Sequence, residues 1–219
     1  MEKRLDAICE FLNPKNRFID IGTDHAYIPI KMAKKGSSQI LATDIHPKAL
    51  LQAKKNIFKE NLEYQINTMV TDGLENVDTE NYDTLVIAGM GTATMIHILT
   101  NETQLQSIKK IILQSNNHLE ELRIFMNRKK WSLQKEKIVY DKGHYYTIME
   151  YAKGVQKLTK EELFLGIFNP KNEKYYQFLE KKYQEIYKKI PNTQPIEKKA
   201  IANKLEWIKE YLQKENRIV

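Results

Sequence analysis

Apolar residues in the first two thirds of the chain fall into short, nearly unbroken runs, and the stretches between them carry apolar positions three and four residues apart. Short apolar runs bounded by turn residues read as buried strands, and the three-to-four spacing reads as helices with one inward face. Strands are expected at residues 17–21, 39–43, 64–70, 83–88 and 109–114, and helices at 2–12, 26–35, 47–59, after Gly91, and at 117–129. The first helix should end at Asn13-Pro14, because the residue before proline disfavours the α region, while Pro47 suits a helix's first turn. Regular strand–helix alternation predicts a parallel sheet with helices on both faces. Two further β-like runs, 132–140 and 144–152, are joined by Asp141-Lys142-Gly143 and should form an antiparallel pair. Beyond Gly154 only helical spacing remains. Leu179, Tyr183, Ile186 and Ile190 form one seam and Ile201, Leu205, Ile208 and Leu212 another, with Pro191 to Pro195 between them. That pattern predicts an antiparallel, coiled-coil-like helical hairpin.

Acids and glycines collect where the expected strands end. Phe18 to Pro29 reads F-I-D-I-G-T-D-H-A-Y-I-P, Ile40 to Pro47 ends in Asp44, Asp72-Gly73 follows the third strand, and Gly89 and Gly91 follow the fourth. In doubly wound α/β folds ligands bind beyond the carboxyl ends of the strands. A dinucleotide would require a glycine-rich turn seating its pyrophosphate on a helix start, and only Gly22 precedes Thr23-Asp24-His25 here. S-adenosylmethionine has no phosphate and carries a sulfonium, an ammonium and a ribose. Asp20, Asp24 and Asp44 therefore favour a methyltransferase over a dehydrogenase, Asp44 being placed for the ribose hydroxyls and Asp72 and Gly73 for the adenine. An open parallel sheet closed by a terminal hairpin is the seven-stranded methyltransferase arrangement and points the same way.

The chain has 219 residues, 42% of them apolar, enough for one medium domain and an appendage. A single cysteine, Cys9, excludes an internal disulfide and suggests a reducing compartment, with the cytoplasm as the expected location. The N-terminal stretch has no signal-peptide core, and no later run is apolar enough to span a bilayer. Five scattered histidines give no metal-ligand spacing, so no metal is expected. The net charge is +7, but its distribution matters more than its size. Residues 1–152 hold 20 Lys and Arg against 19 Asp and Glu, whereas residues 153–219 hold 15 against 9. That asymmetry suits an anionic partner for the C-terminal third; a solvated lysine-rich hairpin is the plainer alternative. Tyr175, Tyr176, Tyr183 and Tyr187 there could stack on bases, although helical spacing favours packing.

Four segments, Asp20 to Pro29, Asp72 to Leu74, Ile87 to Gly91 and Leu113 to Arg123, resemble the bacterial TrmK-type tRNA (adenine(22)-N1)-methyltransferases. The Asp-His-Ala-Tyr run after a single glycine is the specific feature. The pattern departs at Ser115, where the family has proline, and at Thr92, where a further glycine is common; neither replaces a group that does chemistry. The resemblance implies a Rossmann-like class I methyltransferase domain at residues 1–153 and a tRNA-binding helical hairpin at 154–219. It implies S-adenosylmethionine contacts from Gly22, Asp44, Asp72, Gly89 and Met90, beside Asp20 and Gly73 from the strand-end argument. Asp24, His25 and Tyr27 would border the reacting centre and Arg4 would cover it. His25 as a helix cap, Tyr27 as a core residue and Arg4 as a surface charge stand as alternatives.

The implied reaction is methylation of N1 of adenosine 22 in tRNA. Neutral adenine N1 carries no proton, so transfer requires alignment more than deprotonation. The product is cationic, and a carboxylate accepting from the N6 amino group would favour the transition state. Asp24 is the expected group, with Asn116 or Tyr27 holding an extruded base. The partners expected are tRNA, with no membrane and no metal, and the protein is expected to be a monomer. Two other readings stay open: a methyltransferase for a small molecule or protein, and a catalytically silent RNA-binding module.

Overall fold

The computed structural model describes residues 3–216, and its contacts divide the chain into residues 1–156 and 157–219. In the first unit seven strands form one sheet: β1 (Phe18–Ile21), β2 (Ile40–Asp44), β3 (Ile66–Val70), β4 (Thr84–Met90), β5 (Lys110–Ser115), β6 (Trp131–Asp141) and β7 (His144–Lys153). Their order is β3-β2-β1-β4-β5-β7-β6. The first five run parallel and only β7 is antiparallel to its neighbours, so the chain reverses its winding direction between β1 and β4. The carboxyl edge at that point is the ligand edge of such a fold.

Five helices flank the sheet: α1 (Lys3–Cys9), α2 (Tyr27–Lys34), α3 (Pro47–Lys59), α4 (Thr92–Leu99) and α5 (Leu119–Arg128). Residue 2, where the first helix was expected to begin, lies outside the described residues, and the helix ends at Cys9, three residues short of the expected residue 12. Ile8, Phe11, Phe18, Met32, Ile40, Leu50 and Val86 share one core beneath α1, α2 and α3. β1 and β2 are buried along their whole length, which is why they lack alternation in the sequence. Cys9 is buried in the same core, and its thiol is pushed up to about 11, mainly by that burial.

On the opposite face, α5 is tied to β6 by a buried ion pair. Arg123 and Glu136 side chains are 1% and 6% exposed, with Nε and Nη2 donating to Oε1 at 2.9 and 2.7 Å. Tyr151 lies fully buried beside them, and the loss of water raises its hydroxyl pKa strongly. The β6–β7 hairpin outruns β5: β7 pairs with β5 through Met149–Ala152, opposite Lys110–Leu113, and in that register residues 144–146 reach past Ser115, the last residue of β5.

The second unit contains α6 (Lys160–Leu165), α7 (Glu173–Lys189) and α8 (Pro195–Asn216). Its core joins Leu179 and Ile208 from the two seams with Leu165, Tyr176 and Tyr211. The tyrosines pack: Tyr176 is edge-on to Tyr211 at 5.3 Å and Tyr183 to Phe164 at 5.1 Å, while Lys198 covers Tyr187 at 5.1 Å. Helix α6 was not expected, although Thr159 and Glu162 form a reciprocal capping box that the sequence spells out.

Removing one member of a buried ion pair strands the other in a dry site. Arg123→Met or Glu136→Leu should each lower unfolding stability by about 3–5 kcal/mol, and the double variant should recover most of the loss. Urea unfolding of the three variants checks this; equal losses in single and double variants would mean that packing, not charge, dominates there.

Candidate active site

The carboxyl end of β1 runs directly into the loop that shapes the site. Gly22, Asp24 and Ala26 all have positive φ (72°, 49° and 57°), so the backbone alternates sharply before α2 begins. Gly22 is favoured by its backbone: its φ disfavours a side chain, and a Cβ there would also displace the terminal methyl of Met90. Gly22 and Thr23 both donate their backbone N–H groups to Thr43 O, at 2.9 and 2.8 Å, and Asp24 N–H donates to the Asp44 carboxylate at 3.2 Å. The N–H groups of this loop are thus turned into the protein. A pyrophosphate would meet carboxylates instead of donors, which disfavours a dinucleotide and fits a cationic ligand.

A cavity of about 800 Å³ opens at this edge, lined by Asp20, Gly22, Asp24, His25, Tyr27, Gly89 and Asn116 among others. Asp20 is the buried acid. Burial pushes its carboxyl up to about 7, with Asp44 adding to the rise and the Thr23 hydroxyl, donating at 2.7 Å, opposing it. Asp44, also buried, accepts from His46 N–H at 2.8 Å besides Asp24 N–H. Asp24 was expected to border the reacting centre, at the sheet's ligand edge, where a carboxylate is costly unless a cationic or hydrogen-bonding group faces it. Its side chain is instead 68% exposed, with His25 Nε2 3.5 Å away. The burial cost belongs to Asp20, because the left-handed turn at residue 24 swings that side chain to the rim.

His25 does not cap α2: the residue preceding the helix is Ala26, and no side chain bonds to the helix start. Tyr27 is not a core residue; it is half exposed, with its ring 5.4 Å from that of His25. Nor is Arg4 a detached surface charge. Its Nη1 donates to Gln114 Oε1 at 2.8 Å, its backbone N–H donates to the Asp141 carboxylate at 3.2 Å, and its guanidinium lies 5.4 Å from the Tyr146 ring centre. Asn116 donates to Gly89 O at 2.8 Å and accepts from Gln114 Nε2 at 3.2 Å, which leaves one amide proton and one lone pair for a ligand.

The remaining expected residues stand apart from that cavity. Asp72 and Gly73 line a neighbouring depression with Leu74, His97 and Ile98, between the end of β3 and α4. Met90 lies over Gly22, and Asp44 sits behind the loop as its anchor. The lining residues that sequence reasoning missed include Asp141, Lys142 and Tyr146, from the overhanging tip of the β6–β7 hairpin. The signal was its length, since its runs were longer than any core strand and had to project beyond the sheet. The two departures from the family pattern meet: the Thr92 and Ser115 hydroxyls are 2.9 Å apart, and both reach Asn117 O, at 2.7 and 2.9 Å.

Residues 1–149 match the family model described as a methyltransferase domain. The tRNA (adenine(22)-N(1))-methyltransferase of Bacillus subtilis is 29% identical, with 97% of each chain covered. A putative tRNA methyltransferase of Mycoplasma genitalium is 33% identical over 84% of this chain and 88% of its own. The solved structure of TrmK from M. capricolum in complex with S-adenosyl-homocysteine is 30% identical, covers 97% of this chain and 98% of its own, and superposes with a TM-score of 0.85. The chain therefore belongs to the methyltransferase-domain family, and its likeness to the TrmK-type members runs along nearly its whole length.

Proposed function

We propose that this protein transfers a methyl group from S-adenosylmethionine to N1 of adenosine 22 in tRNA. The observation that carries the reading is the union of a whole-length likeness to TrmK-type enzymes with a cavity whose acids sit where a cationic cofactor would be held. The residues fit that cofactor: Gly22 lines the cavity without adding a side chain to it, Asp20 and Asp44 supply negative charge, and the N–H groups of Gly22, Thr23 and Asp24 are already committed within the protein. When bound, S-adenosylmethionine supplies an electrophilic methyl group on a positively charged sulfur.

The chain's own residues provide alignment and charge stabilisation. Asp24 stands at the rim with its backbone pinned to Asp44 and its carboxylate beside His25, in position to accept from the N6 amino group of an entering adenine. As N1 becomes alkylated, positive charge spreads to N6, and that acceptor gains strength in the transition state. Tyr27 and His25 offer one ring-lined edge for the base, and Asn116 keeps an amide proton and a lone pair for it. N1 lies on the Watson–Crick edge, so the nucleotide must leave its stack to be reached. Arg4 fastens α1 to the hairpin tip over this space. Residues 154–219 are assigned the tRNA backbone, on the strength of their lysine excess.

With labelled S-adenosylmethionine and transcribed tRNA, transfer should occur with adenosine at position 22 and vanish with guanosine there. Equal transfer to both would discard the site, and transfer to neither would favour a small-molecule substrate or a silent protein. Asp24→Ala should lower kcat by about 10²–10³ while cofactor affinity, read by calorimetry, stays within about twofold. An equal fall in cofactor affinity would remove Asp24 from the adenine.

Asp20 gives a pH signature. Its pKa is raised from 3.8 to about 7, so the folded cofactor-free protein holds that proton at pH 6, and a cationic ligand favours its release. Cofactor affinity should rise between pH 6 and 8, with a proton release that calorimetry in buffers of different ionisation enthalpy can count. The same shift withdraws stability from the free protein as pH rises from about 4 through 7, and Asp20→Asn should abolish both trends. Loss of only the stability trend would place another acid at the ligand.

A further inference from the structure

The near balance of charge in residues 1–152 conceals a local segregation. Helix α3 carries Lys48, Lys54, Lys55 and Lys59 and no acidic residue in its thirteen positions. All four lysines are exposed, and among the described residues none of them makes an ion pair or a side-chain hydrogen bond. At roughly 100° per residue they share the outer face with Leu51 and Phe58, which are 55% and 70% exposed. Leu50, Ala53 and Ile57 point the other way, into the core. An ordinary solvated helix would interleave acids at three or four residues from its lysines, and this one has none. A face of cations around two uncovered apolar side chains combines charge for phosphate with a ring for a base.

The position of α3 ties that face to the cavity. The helix begins at the carboxyl edge, directly after Asp44 and His46. On its flank, Asn56 Nδ2 donates to His25 O at 3.0 Å and is itself held by Gln52 Nε2 at 3.0 Å, so α3 braces the loop bearing Asp24 and His25. From Lys48 to Lys59 the face runs about 16 Å at roughly 1.5 Å per residue, long enough to follow several phosphates of a strand leading to the cavity.

We propose that the outer face of α3 is an RNA-contact surface within the methyltransferase unit itself, its lysines taking phosphates and Phe58 an unstacked base. It rests on the tRNA reading of the cavity and adds a footprint to that of the C-terminal helices. The alternating cations and apolar residues would also suit an anionic lipid surface, but the brace from α3 to the cavity-lining loop that bears Asp24 and His25 favours RNA.

The test uses the full chain with Lys48→Ala, Lys54→Ala, Lys55→Ala and Lys59→Ala combined, and a second protein with arginine at all four positions. Binding of tRNA is followed by fluorescence anisotropy from about 50 to 300 mM salt. The alanine variant should flatten the slope of log affinity against log salt by about 2–3 and weaken binding at least tenfold near physiological salt, and the arginine variant should keep both. Its melting temperature and S-adenosylmethionine affinity should match the wild type, because the lysines touch neither core nor cavity. Phe58→Ala should raise the KM for tRNA with little change in slope. An unchanged slope and KM in the alanine variant overturns the proposal, as does loss of binding to phosphatidylserine vesicles with tRNA binding intact. Failure of the wild type to methylate any tRNA overturns the reading of the cavity instead, a result the transfer assay reports separately.

Discussion

A carboxyl group withdrawn from water at the end of β1 governs the arrangement around it. Asp20 is 4% exposed and faces an 800 Å³ cavity beside Asp44, a second buried acid. Two carboxylates so placed are unfavourable unless protonated, hydrogen-bonded or met by a cation. The fold supplies partial answers: Thr23 donates to Asp20, while Asp24 N–H and His46 donate to Asp44. Those bonds shape the Gly22–Ala26 loop, whose alternating positive φ values turn its N–H groups inward and its carboxylate at residue 24 outward. The remaining electrostatic demand is for a positive ligand. Affinity for a sulfonium and aversion to a pyrophosphate follow from the same few hydrogen bonds.

The parallel sheet was legible because its central strands are buried on both faces, so β1, β2 and β5 stand out as apolar runs punctuated by Gly and Pro. The phase of both hairpin seams was legible too, since Leu179 and Ile208 occupy the core of the C-terminal unit. Less legible was anything decided by a turn of the chain. Asp24 and Asp20 look alike in sequence, and only the left-handed conformation at residue 24 sends one to the rim and leaves the other buried. Arg4 and Tyr146 are separated by most of the methyltransferase unit, and nothing local says that α1 will be latched to the hairpin tip. Spacing along a chain encodes which face a residue occupies; it does not encode which distant loop arrives opposite.

Thr92 and Ser115 show how a departure from a family pattern becomes intelligible in three dimensions. Taken singly, each stands where the family pattern has a residue of distinctive backbone behaviour, a glycine that frees it or a proline that stiffens it. Together their hydroxyls stand 2.9 Å apart, each within reach of Asn117 O, so that one can donate to the other while the second donates to that carbonyl, and Asn117 Oδ1 accepts the Thr92 N–H at 3.0 Å at the start of α4. A network of buried hydroxyls is stable only when each member is satisfied, and these satisfy each other. The loops after β4 and β5 are therefore fastened by hydrogen bonds where a proline would have stiffened the backbone, and Asn116, on the second of them, donates to Gly89 O near the end of β4.

Charge is organised by the same logic of position. Acids gather at the carboxyl ends of β1 and β2, where a cationic group would be held, while cations without acidic partners cover the outer face of α3. A total of 20 against 19 in residues 1–152 conceals both. An enzyme acting on a polyanion with a cationic cofactor must keep its acids from repelling the phosphates. Recessing Asp20 and Asp44 while spreading lysines over an exposed helix separates the two fields, because the buried acids act over short range and the lysines reach about a Debye length into solvent. Asp24 is the exposed acid of the Gly22–Ala26 loop, and under the proposed transfer it would meet a nucleobase gaining positive charge.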